Sequence, residues 1–199
     1  MGKKLGVICI LLGTALILSA LFLYGYNRYE NKKSGDYADT VLKQMEERVK
    51  SKEPTVPEAP SPEPTTVPEA PSLVIDGYGY IASIQIPDLG IELPVMADWS
   101  YEKMRMAPCR QFGSSRTDDL VIAAHNYDSF FGRLKDLNSG ARIIVTDVDG
   151  TVNTYELDHL ETLAPTAVEA VQYSGYALVL YTCTYGGQTR VAAFCSRVS

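Results

Sequence analysis

Residues 53–72 constrain this chain more than any other stretch, because nothing in them can build a core. Thr55-Val-Pro-Glu-Ala-Pro-Ser61 recurs word for word as Thr66-Val-Pro-Glu-Ala-Pro-Ser72, an 11-residue repeat within a Pro/Glu/Thr tract. Such a composition favours extended polyproline II and cannot bury enough apolar surface to fold. The tract therefore acts as a spacer, with an N-terminal part on one side and one domain on the other. About twenty residues at ~3.1 Å each span roughly 60 Å. The expected consequence is reach, with the domain standing off whatever holds the N-terminus.

What holds the N-terminus is legible. Residues 5–25 are apolar and free of charge, about the ~20 residues needed to cross a bilayer. Lys3 and Lys4 precede them, so the positive-inside rule makes residues 1–4 a cytoplasmic tail and exports the rest. The expected location is the cell membrane, in a single pass with the domain outside. A cleaved signal peptide is the competing reading. Against it, the apolar run is longer than a signal core, and Leu23-Tyr-Gly-Tyr-Asn-Arg28 offers a poor small-residue cleavage pattern. Residues 26–52 are polar, but Val41, Leu42, Met45 and Val49 recur at helical spacing, which predicts a short amphipathic helix. The net charge of -6 argues against a nucleic-acid partner, which would need clustered cations.

Residues 73–199 form one domain whose signals are mostly strands. Tyr80–Ile86 alternates, breaks at Pro87–Gly90 and resumes at Ile91–Val95. Arg142–Asp147 and Thr151–Leu157 flank Asp149-Gly150, a hairpin signal because such turns require positive φ. Further apolar runs end at His125 and Cys183, and another begins at Arg190. Seven to eight closely spaced strands predict an all-β-dominated barrel, closed or nearly so, although spacing alone also allows a sandwich. Trp99–Met106, Ser129–Leu137 and Thr166–Gln172 are candidate short helices.

Three strand ends each present one reactive side chain. Leu120–Ala124 delivers His125, Ala177–Thr182 delivers Cys183, and Arg190 opens Arg-Val-Ala-Ala-Phe. A thiol needs such company, because unperturbed it is only about a few per cent thiolate at neutral pH. A guanidinium is permanently charged and offers parallel donors suited to an oxyanion. The bland readings are a small buried hydrophobe, a packed histidine and a solvated arginine. Asn126, Thr182 and Tyr185 flank the trio and are candidates for contacting substrate. His159, between acidic neighbours, reads as a surface histidine, and Arg197 is a weaker candidate than Arg190. Of the other cysteines, Cys9 lies in the apolar span, while Cys109 and Cys195 either pair in a disulfide or stay reduced. No compact acidic cluster points to a metal, and no cofactor is expected.

"AAHN" with His125, "LYTC" with Cys183 and "TRVAAF" with Arg190 resemble the His, Cys and Arg motifs of sortases, the Gram-positive cysteine transpeptidases. The similarity runs from about Tyr80 to Val198. "HNYDSFFGRL" and the short Cys-to-Arg spacing are similar to class B and related clostridial-type sortases. The resemblance implies a sortase-like closed β-barrel and a thioester acyl-enzyme on Cys183. It also implies secreted substrates bearing a C-terminal LPXTG-like sorting signal, and a peptidoglycan precursor or pilin lysine as the accepting amine. Asp98-Trp99 has the composition of the lid pair found in pilus-building members, but it follows the first two strands and reads as part of the domain. Two rivals stand beside this reading: another cell-surface cysteine peptidase, and a non-catalytic membrane-tethered binding module.

Overall fold

The computed structural model describes residues 2–51 and 71–198, so nearly all of the Pro/Glu/Thr tract lies outside the described residues. The N-terminal part is one continuous helix, α1 (Gly2–Ser51), rather than an apolar span followed by a separate short helix. At ~1.5 Å per residue it is roughly 75 Å long. Its first half is apolar and bare, with Leu16 71% and Phe22 73% exposed. Its second half docks on the domain through Ser34, Ala38, Val41 and Met45, all buried and spaced by three or four residues on one helix face. Burying Val41 and Met45 contributes on the order of 1.5–3 kcal/mol each. Leu42 and Val49, predicted for the same stripe, lie toward its edge, and Val49 is 40% exposed. Polar contacts pin this helix at both ends of the docked stretch. Ser129 donates its backbone N–H and its hydroxyl to Asn31 Oδ1 at 3.1 and 2.8 Å, and Arg48 Nη1 donates to the Val74 carbonyl at 2.7 Å.

The domain holds nine strands among the described residues: β1 (Leu73–Ile75), β2 (Tyr78–Ile86), β3 (Ile91–Met96), β4 (Cys109–Phe112), β5 (Leu120–Ala123), β6 (Arg142–Asp147), β7 (Val152–Leu163), β8 (Leu178–Cys183) and β9 (Arg190–Arg197). They form one sheet in the order β1-β2-β3-β4-β5-β8-β9-β7-β6, and β2 also pairs with β6. That last pairing closes an eight-stranded barrel, with β1 added outside it, which settles barrel over sandwich. Most neighbours are antiparallel, but β3–β4 and β5–β8 run parallel. The hairpin expected at Asp149-Gly150 joins β6 to β7; Gly150 alone takes the left-handed conformation there, at φ 90°.

Alternation decides what each strand shows to each side. Leu120 and Ile122 of β5, Leu178 and Leu180 of β8, and Ala193 and Cys195 of β9 fill the barrel. Val121, Val179, Ala192 and Phe194 point outward, yet they too are buried, because Leu163 and Val171 cover them. Val171 belongs to α2 (Val168–Gln172), a helix somewhat shorter than predicted. The other two expected helices are turns containing one short 3-10 stretch each, Lys103–Arg105 and Leu134–Asp136.

The Cys109–Cys195 bridge left open by the sequence is not formed. Both are free, buried thiols. Cys109 packs under α1 with Val41 and Met45, while Cys195 faces the barrel interior. Their strands are three steps apart in the sheet, roughly 14 Å at the usual spacing, where a disulfide needs Cα atoms within ~7 Å.

Candidate active site

The register of three adjacent strands pairs Cys183 with Arg190 and brings the strand that leads to His125 alongside. Cys183 and Arg190 are direct partners at the end of the antiparallel β8–β9 pair. Facing partners in such a pair have Cα atoms ~4.5–5.5 Å apart and side chains on the same side. On the other flank, β5 runs parallel to β8 with Ala123 opposite Tyr181. The ladder continues past the strand end, since Ala124 N–H donates to the Tyr181 carbonyl at 3.2 Å and the Thr182 hydroxyl to the Ala124 carbonyl at 2.9 Å. Two residues beyond Ala123 and Tyr181 come His125 and Cys183, at the same end of the β5–β8 pair.

Strand alternation corrects one expectation. Thr182 is not available to a substrate: it lies between two outward residues, is only 3% exposed, and its hydroxyl bonds the β5 backbone. Tyr185 is 94% exposed at the tip of the β8–β9 loop, and Asn126 is half-buried beside His125. The loop is closed at its base by Thr184 N–H donating to the Thr189 carbonyl at 3.0 Å. Arg190 Nη1 donates to the Gly187 and Thr189 carbonyls, both at 3.0 Å, so its own loop holds the guanidinium near Cys183.

A groove of about 160 Å³ opens here, and Cys183 and Arg190 both line it. Tyr181 forms part of its wall, with its hydroxyl bonded to Gln111. One rim comes from Trp99, Tyr101 and Met104, the other from Leu163 and the α2 segment. Trp99 is fixed by its indole N–H against Met104 Sδ at 3.1 Å and by edge contact with Tyr101 at 5.0 Å. These walls were not singled out from sequence. The available signal was the apolar side chains in the candidate helices Trp99–Met106 and Thr166–Gln172.

His125 does not line the groove. Its ring is half-buried and stacks on Tyr127, with centroids 4.1 Å apart and planes at 25°. Its backbone N–H reaches the Met104 carbonyl at 3.3 Å, and its Nδ1 is buried without a hydrogen-bond partner. Burial, and secondarily the Arg105 guanidinium, lower its pKa, so the neutral imidazole is favoured. The three thiols outside α1 are thereby sorted. Burial pushes Cys109 and Cys195 up to about 12, which keeps them protonated, whereas Cys183 is the partly exposed one beside a cation. His159 is exposed and stacks on Phe194 at 4.9 Å, away from the trio, as a surface histidine would. Among the described residues no cluster of His, Cys, Asp and Glu could hold a metal ion.

The fold is shared with solved structures across several classes. Sortase A from Corynebacterium diphtheriae matches with a TM-score of 0.53 at 21% identity, covering 60% of this chain and 61% of that one. Sortase C1 from Streptococcus agalactiae gives 0.54 at 25% identity, covering 63% and 71%. A Clostridium perfringens sortase D5 transpeptidase gives 0.52 at 16% identity, covering 60% and 79%. The chain thus spans about three-fifths of the Corynebacterium protein's length. These likenesses run across classes A, C and D and do not single out class B. No curated protein sequence matches the chain. The model of the sortase domain does match, over residues 84–198, which is more than half of the 199 residues and includes all three strands of the site. By that match the chain belongs to the sortase family.

Proposed function

We propose that this sortase is a membrane-anchored, extracellular cysteine transpeptidase, with Cys183 as nucleophile, His125 as proton carrier and Arg190 as oxyanion donor. The observation that supports the reading is the strand register: Cys183 and Arg190 are direct cross-strand partners, and the parallel neighbour β5 ends two residues before His125 at the same end. The groove between the Trp99 rim and α2 suits an extended peptide, with the scissile carbonyl over Cys183. The thiolate attacks that carbonyl and the electron pair moves to oxygen, where Arg190 stabilises the charge. As the tetrahedral centre collapses, the C–N bond breaks, imidazolium His125 protonates the leaving amine, and a thioester remains on Cys183. Neutral His125 then takes a proton from an incoming amine, whose attack expels the thiolate and forms a new amide, restoring the thiolate–imidazolium pair. The peptide is an LPXTG-like sorting signal at the C-terminus of a secreted protein, and the amine comes from a peptidoglycan precursor or a pilin lysine.

The apolar half of α1 is long and apolar enough to cross a membrane. With that half in the bilayer and Lys3–Lys4 inside, the barrel lies outside. Its distance from the membrane is then set by the docked helix and not by the Pro-rich tract. Asn31, which bonds Ser129, is only ~10 Å of helix beyond Tyr24. Arg48, at the far end, reaches β1. The His125 end of the barrel is therefore the end nearest the bilayer, suited to substrates still held at the membrane surface.

The test is cleavage of fluorogenic sorting-signal peptides by the full chain in detergent, with and without an added amine. A new amide product, lost in Cys183→Ala, is the expected result. A product that is only the free acid makes the protein a peptidase, and turnover surviving Cys183→Ala removes the nucleophile.

A further inference from the structure

The imidazole of His125 has an unusual support. In many nucleophile–histidine pairs a carboxylate or amide on the second ring nitrogen fixes the ring. Here that nitrogen, Nδ1, is buried and has no hydrogen-bond partner. What contacts the ring is the face of Tyr127, at 4.1 Å and near-parallel. Tyr127 is held in turn from two directions. Its carbonyl accepts from Phe130 N–H and Gly132 N–H, both at 2.9 Å, closing a tight turn after His125. The second hold is α1, whose Asn31 Oδ1 accepts from the Ser129 N–H and hydroxyl in the same turn. The same stretch of helix is seated against this turn once more, through Gly35, where a Cβ would already touch the Ser129 Cβ at 3.4 Å.

We propose that Tyr127 is a positioning residue for His125 and that α1, through Asn31 on Ser129, is the element that seats its turn. The membrane helix is then part of the catalytic apparatus as well as an anchor. Stacking fixes the plane of the imidazole, and the Asn31–Ser129 bonds fix the turn that carries the stacking ring. Water is kept from the Nδ1 side, so the ring works through its other nitrogen. The charged group acting on it is Arg105, and the titratable ring beside it is Tyr127. Glu30 and Tyr26 of α1 act on Tyr127. This inference rests on His125 being the proton carrier of the proposed reaction.

The test uses the full chain in detergent with isotope-labelled histidine. With only two histidines, the His125 resonance is assigned by the signal that remains in His159→Gln. Tyr127→Leu removes the stacking face. The expected result is a His125 titration moved up toward the ordinary imidazole value and a kcat lowered about tenfold with KM within about twofold. That loss is part of the ~10²–10⁴ that general acid–base catalysis supplies. Tyr127→Phe keeps the face and should leave kcat within about twofold. Asn31→Ala should cost about threefold in kcat, and the double variant with Ser129→Ala no more than Asn31→Ala alone, since they break one contact. A His125 titration unmoved by Tyr127→Leu overturns the proposal, as does a double variant whose losses multiply. Activity surviving His125→Ala would instead overturn the catalytic reading, and the titration would still report whether Tyr127 and α1 hold the ring.

Discussion

Strand β9 carries an arginine at each end, and the two are held in opposite ways. Arg197 is locked: it donates to Asp118 at 2.5 Å, Asn153 at 2.6 Å, the Tyr155 hydroxyl at 3.1 Å and the Ser115 carbonyl. Ser115 and Asn153 in turn bond the buried carboxylate of Asp147. Arg190, among the described residues, bonds only through Nη1, to two carbonyls of its own loop. Arg197 spends its donors on the protein, while Arg190 keeps Nη2 and Nε for something else. His125 differs from that network too: its Nδ1 is buried without a partner. Fully satisfied polar networks rigidify a fold, and a buried unsatisfied atom is an exception that needs a reason.

Substitution should separate the two arginines most strongly. Arg190→Ala is expected to lower kcat/KM on the order of a hundredfold or more while leaving the unfolding midpoint nearly unchanged, and Arg190→Lys should recover little, because a point charge lacks the paired donors. Peptide cleavage alongside chemical denaturation checks both. Equal activity in Arg190→Ala would erase the distinction. Arg197→Ala should do the reverse, costing on the order of 2–3 kcal/mol because Asn153 and the Tyr155 hydroxyl lose a partner, with kcat little changed in the folded fraction.

Gly132→Ala comes next. A Cβ there would lie 2.6 Å from the Asn126 carbonyl oxygen and 2.8 Å from that of Tyr127, both backbone atoms, so the turn behind His125 must move. A several-fold fall in kcat with KM nearly constant is expected, measured with the same peptides, and an unchanged kcat would show that this turn does not set the imidazole.

The smallest effect is on pH. Burial and Arg105 hold His125 below its ordinary value of 6.5, so the folded state favours the neutral ring. The stability this contributes is complete above about 6.5 and lost as pH falls through the lower, folded pKa. Denaturation midpoints of His125→Gln should therefore depend less on pH below that point than those of the natural sequence. The acid limb of kcat/KM should also lie below the ordinary imidazole value and move up in Arg105→Ala, where a repelling cation has gone. A limb unmoved by that change would assign it to another group.

Much of this was legible along the chain. The β6–β7 hairpin could be read because Asp149-Gly150 is a local signal with a local cause. His125, Cys183 and Arg190 could be nominated because apolar runs ended or began on them, and strand ends are where a barrel shows functional groups to solvent. Less legible were β1 and β4, short runs without clear alternation, and the length of β7, which continues past a bulge at Leu157–His159. The groove walls escaped because Trp99 and Met104 meet Leu163, the end of β7, from a segment distant in sequence. The disulfide question could not be answered from spacing at all, since it turns on which face of which strand each cysteine occupies.

What the sequence determined by itself was the local: an apolar helix, a tract unable to fold, strands that alternate, and three reactive side chains at strand ends. These follow from periodicity and composition, which act between neighbours. The tertiary structure alone decided that α1 runs unbroken onto the barrel, that Thr182 faces inward while Cys183 faces the groove, and that Tyr127 stacks on His125 in a turn seated on α1. Each of those depends on strand register and helix docking, where contacts between residues far apart in the chain outweigh local preference.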